Sequence, residues 1–351
     1  MILKEYIVPL VTSKEVLLKA RAEGYAVGAF NLNNMEMAQA IVTAAEEEQA
    51  PVIIQASQGA IKYAGLEMIT AMANVLAGHA TVPIVLHLDH GTDYKQNVKC
   101  LRAGFTSLMY DGHELPLEEN IALTRKIVDI AHAVNLPVEA EIGSVLTIES
   151  LISDAEIAEI RAMEIPKQFE VLRKKIGPTV ENHIARPEEA KRFVDETSVD
   201  FLAAAVGSVH GLWLDIWPLR IDRLKEIYDA TGIPIVSHGS SGVLIDRKDA
   251  EAKGVELAPG EGSLLDGIKV GYTKINVATA LSMEFNRAML ETAARRPGEK
   301  DPRKLLDPAR KAVVARTKEY IRLFGSSGKA ENAKSGGKEG LGGGMARRGE
   351  E

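Results

Sequence analysis

"VPIVLHLDHG", residues 82–91, decides how this chain is read. Val82 and Pro83 close a segment of helical spacing. The run Ile84–Leu88 is apolar except for His87, and Asp89, His90 and Gly91 end it. A short apolar run bounded by such punctuation reads as a buried strand. Its titratable groups crowd the downstream end, where a barrel of parallel strands carries its chemistry.

The same pattern recurs along the chain. AVGAFN (26–31), PVIIQAS (51–57), TSLMYD (106–111), VEAEIG (138–143), FLAAAVGS (201–208), PIVSHG (234–239) and TKINVAT (273–279) read as strands, several of them after a Gly or Pro. Segments such as NMEMAQAIVTAAEEEQA lie between them with apolar residues at helical spacing. Strand–helix alternation implies a parallel sheet with crossover helices. Eight such units over about 300 residues predict an α/β fold, a closed (β/α)8 TIM barrel. An open dinucleotide-binding sheet would show GxGxxG after its first strand, which is missing.

The expected organisation is one barrel domain over residues 1–324, interrupted after strand 5 by a helical insertion at 150–186. That insertion reads as two amphipathic helices divided by Pro166, the first capped by Ser153 or Asp154. Residues 325–351 are rich in Gly, Ser and charge and read as a disordered tail. A net charge of -7 argues against nucleic acid or an anionic membrane as partner. No apolar stretch approaches the roughly 20 residues of a membrane span. One cysteine excludes an internal disulfide and fits a reducing compartment, so a cytoplasmic location is expected.

Asn31, Ser57, Asp89, His90, Asp111, Glu141, His210, His238 and Asn276 stand at or just beyond predicted strand ends. Three of the histidines are followed by glycine, in "LDHG", "SVHG" and "VSHG". Three imidazoles converging on one mouth form a common zinc ligand set with an open position. A single such histidine is more often a structural group; the repetition favours a metal. His87, inside its strand, is assigned a role behind the ligands or in the barrel interior. His79, His113, His132 and His183 are assigned to the surface. "HGSSG" (238–242) and "NVAT" (276–279) follow strands 7 and 8, where barrels often bind phosphate through backbone N–H groups. Glu139 and Glu141 share one face of strand 5. For Glu139, an ion pair at the barrel rim is as good a reading as a ligand role.

Together with "GYAVGAFNLNN", "IKYAG", "LPLEENI", "KINVAT" and "DPRKLLDPAR", these stretches resemble the class II, zinc-dependent ketose-bisphosphate aldolases, the fructose and tagatose types. The likeness runs from about Val11 to about Phe324 outside the insertion. It implies zinc on His90, His210 and His238, with Asp111 and Glu141 at a second divalent position, and it allows a monovalent cation near the phosphate. It further implies Asp89 as proton donor. Gly211, Gly239, Ser240, Ser241, Asn276, Val277, Ala278 and Thr279 would hold the dihydroxyacetone phosphate half, and Ser57 the other phosphate-bearing half. The implied reaction is a glycolytic one, reversible aldol cleavage of a ketose 1,6-bisphosphate to two triose phosphates. A homodimer or homotetramer is implied as well. The loop after strand 5 departs from the family: "AEIGSVLTIES" lacks the usual Gly-Gly, leaving Glu149 as the matching base. Competing readings are a Schiff-base aldolase using Lys274, a metal-dependent hydrolase, and a sugar-phosphate-binding relative without turnover.

Overall fold

A computed structural model describes residues 10–330. All eight predicted strands form: β1 (Val27–Asn31), β2 (Val52–Ser57), β3 (Ile84–Asp89), β4 (Leu108–Tyr110), β5 (Val138–Ile142), β6 (Phe201–Ala204), β7 (Ile235–Ser237) and β8 (Tyr272–Val277). They make one eight-stranded parallel sheet in the order β3-β2-β1-β8-β7-β6-β5-β4. The two ends meet through bridges His87–Ser107 and Gly91–Tyr110, with Leu88 N donating to Ser107 O at 3.1 Å. Helices lie between successive strands, so the fold is the (β/α)8 barrel.

Strand periodicity sorts the side chains. Val27, Ala29, Ile53, Val85, Phe201, Ala203 and Val236 point inward and pack with Val16, Leu17 and Ala20 of helix Ser13–Glu23, which plugs one end of the barrel. The alternate residues, including Phe30, Ile54, Leu86, Leu202 and Ile275, pack against the outer helices. Further along the inward rows come polar residues: Asn31, Gln55, His87, Asp89, Glu139, Glu141, His238, Lys274 and Asn276, all buried. This polar upper half is where the site lies.

The insertion is helical, as expected. Ser153 caps helix Asp154–Arg161 in a reciprocal pair with Glu156, while Pro166 stands in the first turn of the longer helix Ile165–Asn182. A proline lacks only a donor that the first turn leaves unused. Phe169, Leu172, Ile176 and Val180 pack with Val209, Leu212, Ile216, Trp217 and Leu244 of the loops after β6 and β7. Leu172 is fully buried there. Leu172→Ala is expected to destabilise the fold by about 2–5 kcal/mol, checked by denaturant unfolding.

Helix Arg303–Leu323 packs on helix Met35–Glu48, and order continues past Phe324. Gly328 N and Ala330 N donate to Glu48 O and Gln49 O at 2.8 and 2.9 Å, and Ser326 is fully buried. Residues 325–330 therefore pack with the barrel, which corrects the expected start of the tail; its remainder, 331–351, lies outside the described residues. Among the described residues no helix is long and apolar enough to cross a membrane.

Candidate active site

His90, His210 and His238 meet at the downstream mouth of the barrel. The ring of His90 lies 4.7 Å from that of His238 and 5.6 Å from that of His210, centroid to centroid. His90 has φ 49°, a left-handed conformation uncommon for a side-chain-bearing residue. The turn lets its Nδ1 donate to Asp111 Oδ2 at 2.6 Å. Ligand atoms of Asp89, His90 and His238 lie within 4.8 Å of one another, as do those of His90, Asp111 and Glu141. His210 belongs to neither of these tight groups; it follows β6, between the strands that carry Glu141 and His238. Its backbone is pinned on both sides, N to Leu146 O at 2.8 Å and O from Ile148 N at 2.9 Å.

Two buried donor atoms at this centre lack partners. His238 Nε2 donates to Glu139 Oε1 at 2.8 Å, and its Nδ1 lies 3.1 Å from Glu141 Oε2. Both His238 Nδ1 and Glu141 Oε2 are buried without a hydrogen bond. An imidazole nitrogen and a carboxylate oxygen so placed require a proton or a metal ion near them. Burial opposes charge on His238, but with no ion beside it the two glutamates prevail and lift it to about 10, and a cation next to Nδ1 would take the place of that proton. His210 goes the other way: burial, with the positive charge of its neighbours, pushes it down to about 3. It is therefore neutral, the form that ligates metal. Burial raises the Asp111 carboxyl, yet hydrogen bonds from His113 and His90 hold it well below the usual range. The residues fit a divalent cation.

Beside this centre is a cavity of about 160 Å³. Asn31, Asp89, His90, His210, Gly211, Gly239, Ser240, Ser241, Asn276, Ala278 and Thr279 line it, with Gln55. Asp89 is fixed by two amides: Asn31 Nδ2 donates to Oδ2 at 2.7 Å and Asn276 Nδ2 to Oδ1 at 3.3 Å. Gln55 braces Asn31 at 2.7 Å. Burial raises the Asp89 carboxyl, but His90, His238 and Lys274 bring it below its ordinary value, so it is ionised and accepts both amides. Ser241 Oγ accepts from Ala280 N at 3.2 Å at the start of helix Thr279–Arg295. Gly239 (φ 61°) lies so close to Val145 that a Cβ would come within 2.9 Å of its Cγ1. Backbone N–H groups at this helix start, beside Ser240 and Ser241, make an anion cradle.

Glu149 lies in the short helix Ile148–Leu151 on the other side of the mouth. Its carboxylate oxygens approach within 3.2 and 3.3 Å of the position a Cβ on Gly211 would take. Trp213, two residues on, is clamped by the insertion: its Nε1 donates to Gln168 Oε1 at 2.9 Å and Arg161 stacks 4.4 Å above its ring. The segment after β5 is thus fastened to the loop after β6 that carries His210 and Gly211.

Two of the expected substrate-binding residues do not line the cavity. Ser57 caps helix Gln58–Ala64 by accepting from Ala60 N, and the side chain of Val277 is buried in the outer core. His113 corrects an expectation. It is no surface group, because its Nδ1 donates to Asp111 Oδ1 at 2.6 Å and lies 3.9 Å from Glu141. Glu139 is ion-paired, but deep in the barrel rather than at its rim, with Lys274 at 2.8 Å. Gln55 was not singled out from sequence, although a lone amide in "PVIIQAS" carried the signal.

The family described as "Fructose-bisphosphate aldolase class-II" matches residues 11–329. The fructose-bisphosphate aldolase of Thermus caldophilus is 41% identical over 330 residues, covering 92% of this chain and 100% of that protein. The fructose-bisphosphate aldolase of Helicobacter pylori strain J99 is 38% identical, covering 91% of this chain and 99% of that protein. Among solved structures, the YdjI aldolase from Escherichia coli K12 superposes with a TM-score of 0.70 at 31% identity, over 92% of this chain and 100% of that one.

Proposed function

The chain belongs to the class-II fructose-bisphosphate aldolase family, and from that premise we propose that it cleaves fructose 1,6-bisphosphate reversibly to dihydroxyacetone phosphate and glyceraldehyde 3-phosphate. One observation supports this above the others: two of the three histidines, His90 and His210, line one cavity of about 160 Å³ with the buried ionised Asp89 and the Gly239–Ser241 turn, and His238 packs against His90 behind it. His90, His210 and His238 would hold zinc, with Asp111 and Glu141 at a second divalent position and a monovalent cation near the cradle. Zinc bound there would polarise the ketone and stabilise the negative charge that develops on its oxygen.

The chain's own groups do the rest. Gly211, the Gly239–Ser241 turn and Asn276–Thr279 bind the phosphate of the dihydroxyacetone half and orient its carbon chain. Ser57 lies towards the other phosphate-bearing half. In synthesis, Glu149 takes the proton from the carbon that becomes the nucleophile, and Asp89 protonates the alkoxide formed from the aldehyde. In cleavage, Asp89 removes the hydroxyl proton and Glu149 returns one to carbon. Asn31 and Asn276 hold Asp89 for that transfer. The insertion's clamp on Trp213 keeps water from the mouth. We read the protein as a cytoplasmic homodimer or homotetramer whose activity resides in one barrel domain.

A Schiff base is not part of this reading, since Lys274 gives its protons to Glu139 and His87. Steady-state cleavage of fructose and tagatose 1,6-bisphosphates is the test. Turnover of the fructose compound is expected, Glu149→Ala is expected to lower kcat by about 10²-fold or more, and borohydride with substrate should leave activity intact. Absence of turnover on either bisphosphate, or inactivation by borohydride, would sink the proposal.

A further inference from the structure

We propose that the buried pair Lys274–Glu139 is a positioning device for the metal ligand His238, fixing which of its ring nitrogens carries the free lone pair. This inference rests on the reading of His238 as a ligand.

The argument is one of donors and acceptors. Lys274 is fully buried and Glu139 is 1% exposed. Lys274 Nζ donates to Glu139 Oε1 at 3.1 Å, to Oε2 at 2.8 Å and to His87 Nε2 at 3.2 Å. An ammonium has three protons and no acceptor, so all three are spent. His87 Nε2 must then be the bare nitrogen, and its Nδ1–H donates to Ser107 Oγ at 2.7 Å. Ser107 in turn meets Ser13 Oγ at 2.7 Å, in the helix that plugs the barrel. The chain of contacts thus runs from the closed end of the barrel to the metal centre.

Glu139, held ionised by Lys274, can only accept. His238 Nε2, 2.8 Å from its Oε1, must carry the proton. In the neutral imidazole the lone pair then lies on Nδ1, 3.1 Å from the unpartnered Glu141 Oε2 and on the side of the other metal donors. Carboxylates that orient a ligating histidine in this way affect metal affinity about 10–100-fold. A purely structural role is the weaker account, because a buried ion pair gains little stability over an apolar pair of the same volume. His87, an odd polar residue within an apolar strand, acquires a purpose as the third acceptor that completes the lysine.

The experiment compares zinc affinity, by competition with a chromophoric chelator, and the visible spectrum of the cobalt-loaded protein in the wild type, Glu139→Gln and Lys274→Met. Glu139→Gln is isosteric. Its carbonyl is claimed by Lys274 and its amide N–H groups face His238, which reverses the imidazole tautomer. We expect zinc affinity 10–100-fold weaker, with an altered cobalt spectrum, in Glu139→Gln, and a shift of the same direction in Lys274→Met. Folded variants with lowered Tm but wild-type zinc affinity and cobalt spectrum would overturn the inference. If Lys274→Met does not fold, Glu139→Gln decides. A wild type that binds no zinc would instead overturn the metal reading on which the inference stands.

Discussion

Asp89→Ala is expected to lower kcat for fructose 1,6-bisphosphate cleavage by about 10²–10⁴ while zinc content stays at the wild-type level. The expectation comes from how Asp89 is held. It is 4% exposed, accepts from Asn31 at 2.7 Å and from Asn276 at 3.3 Å, and lines the cavity between the histidine cluster and the anion cradle. Its Oδ1 is 3.9 Å from His90 Nε2, close enough to serve a substrate bound at the metal without being needed to retain the ion. Kinetics and metal analysis on one preparation separate the two possibilities. A loss of zinc in proportion to activity would make Asp89 a ligand, and a kcat within tenfold of wild type would remove it from proton transfer.

Stripping the metal with a chelator is expected to cut turnover by a factor on the order of 10³ or more, with activity returning on addition of zinc. The size follows from the several kcal/mol that a Lewis acid contributes to a developing oxyanion. The structural ground is the pair of unpartnered buried atoms, His238 Nδ1 and Glu141 Oε2, 3.1 Å apart. No side chain in the cavity offers an alternative electrophile: Lys274, the cation nearest in sequence to the cradle, is committed below it to Glu139. Retention of full turnover by protein shown to be metal-free would exclude the mechanism.

The fold was legible because each strand is a short apolar run, and most of them end on or just before a polar residue, a local pattern that needs no knowledge of neighbours. The three histidines that meet at the mouth were legible for the same reason, through their His-Gly endings. What escaped was set by pairing over long separations. Glu139 and Lys274 lie 135 residues apart, and nothing at either position specifies the other. His113 was misplaced because Gly112 is pressed against Asn120, where a Cβ would come within 2.4 Å of Oδ1, and the resulting turn folds His113 back onto Asp111. That close contact depends on packing from another helix. Glu149, in contrast, was placed by resemblance alone, and its approach to Gly211 depends on the bridge between Thr147 and His210.

The apolar cluster that fastens the insertion draws residues from the segment after β5 and from the loops after β6 and β7 together. Such shared burial makes these pieces one cooperative unit, so they should open together, as a single foldon, rather than loop by loop. Amide exchange would then show matching protection across residues 165–182 and 209–217. Removing that segment would strip the shared burial from the loops that follow β6 and β7 and carry His210 and His238, so in this chain the insertion is a keystone of the barrel mouth.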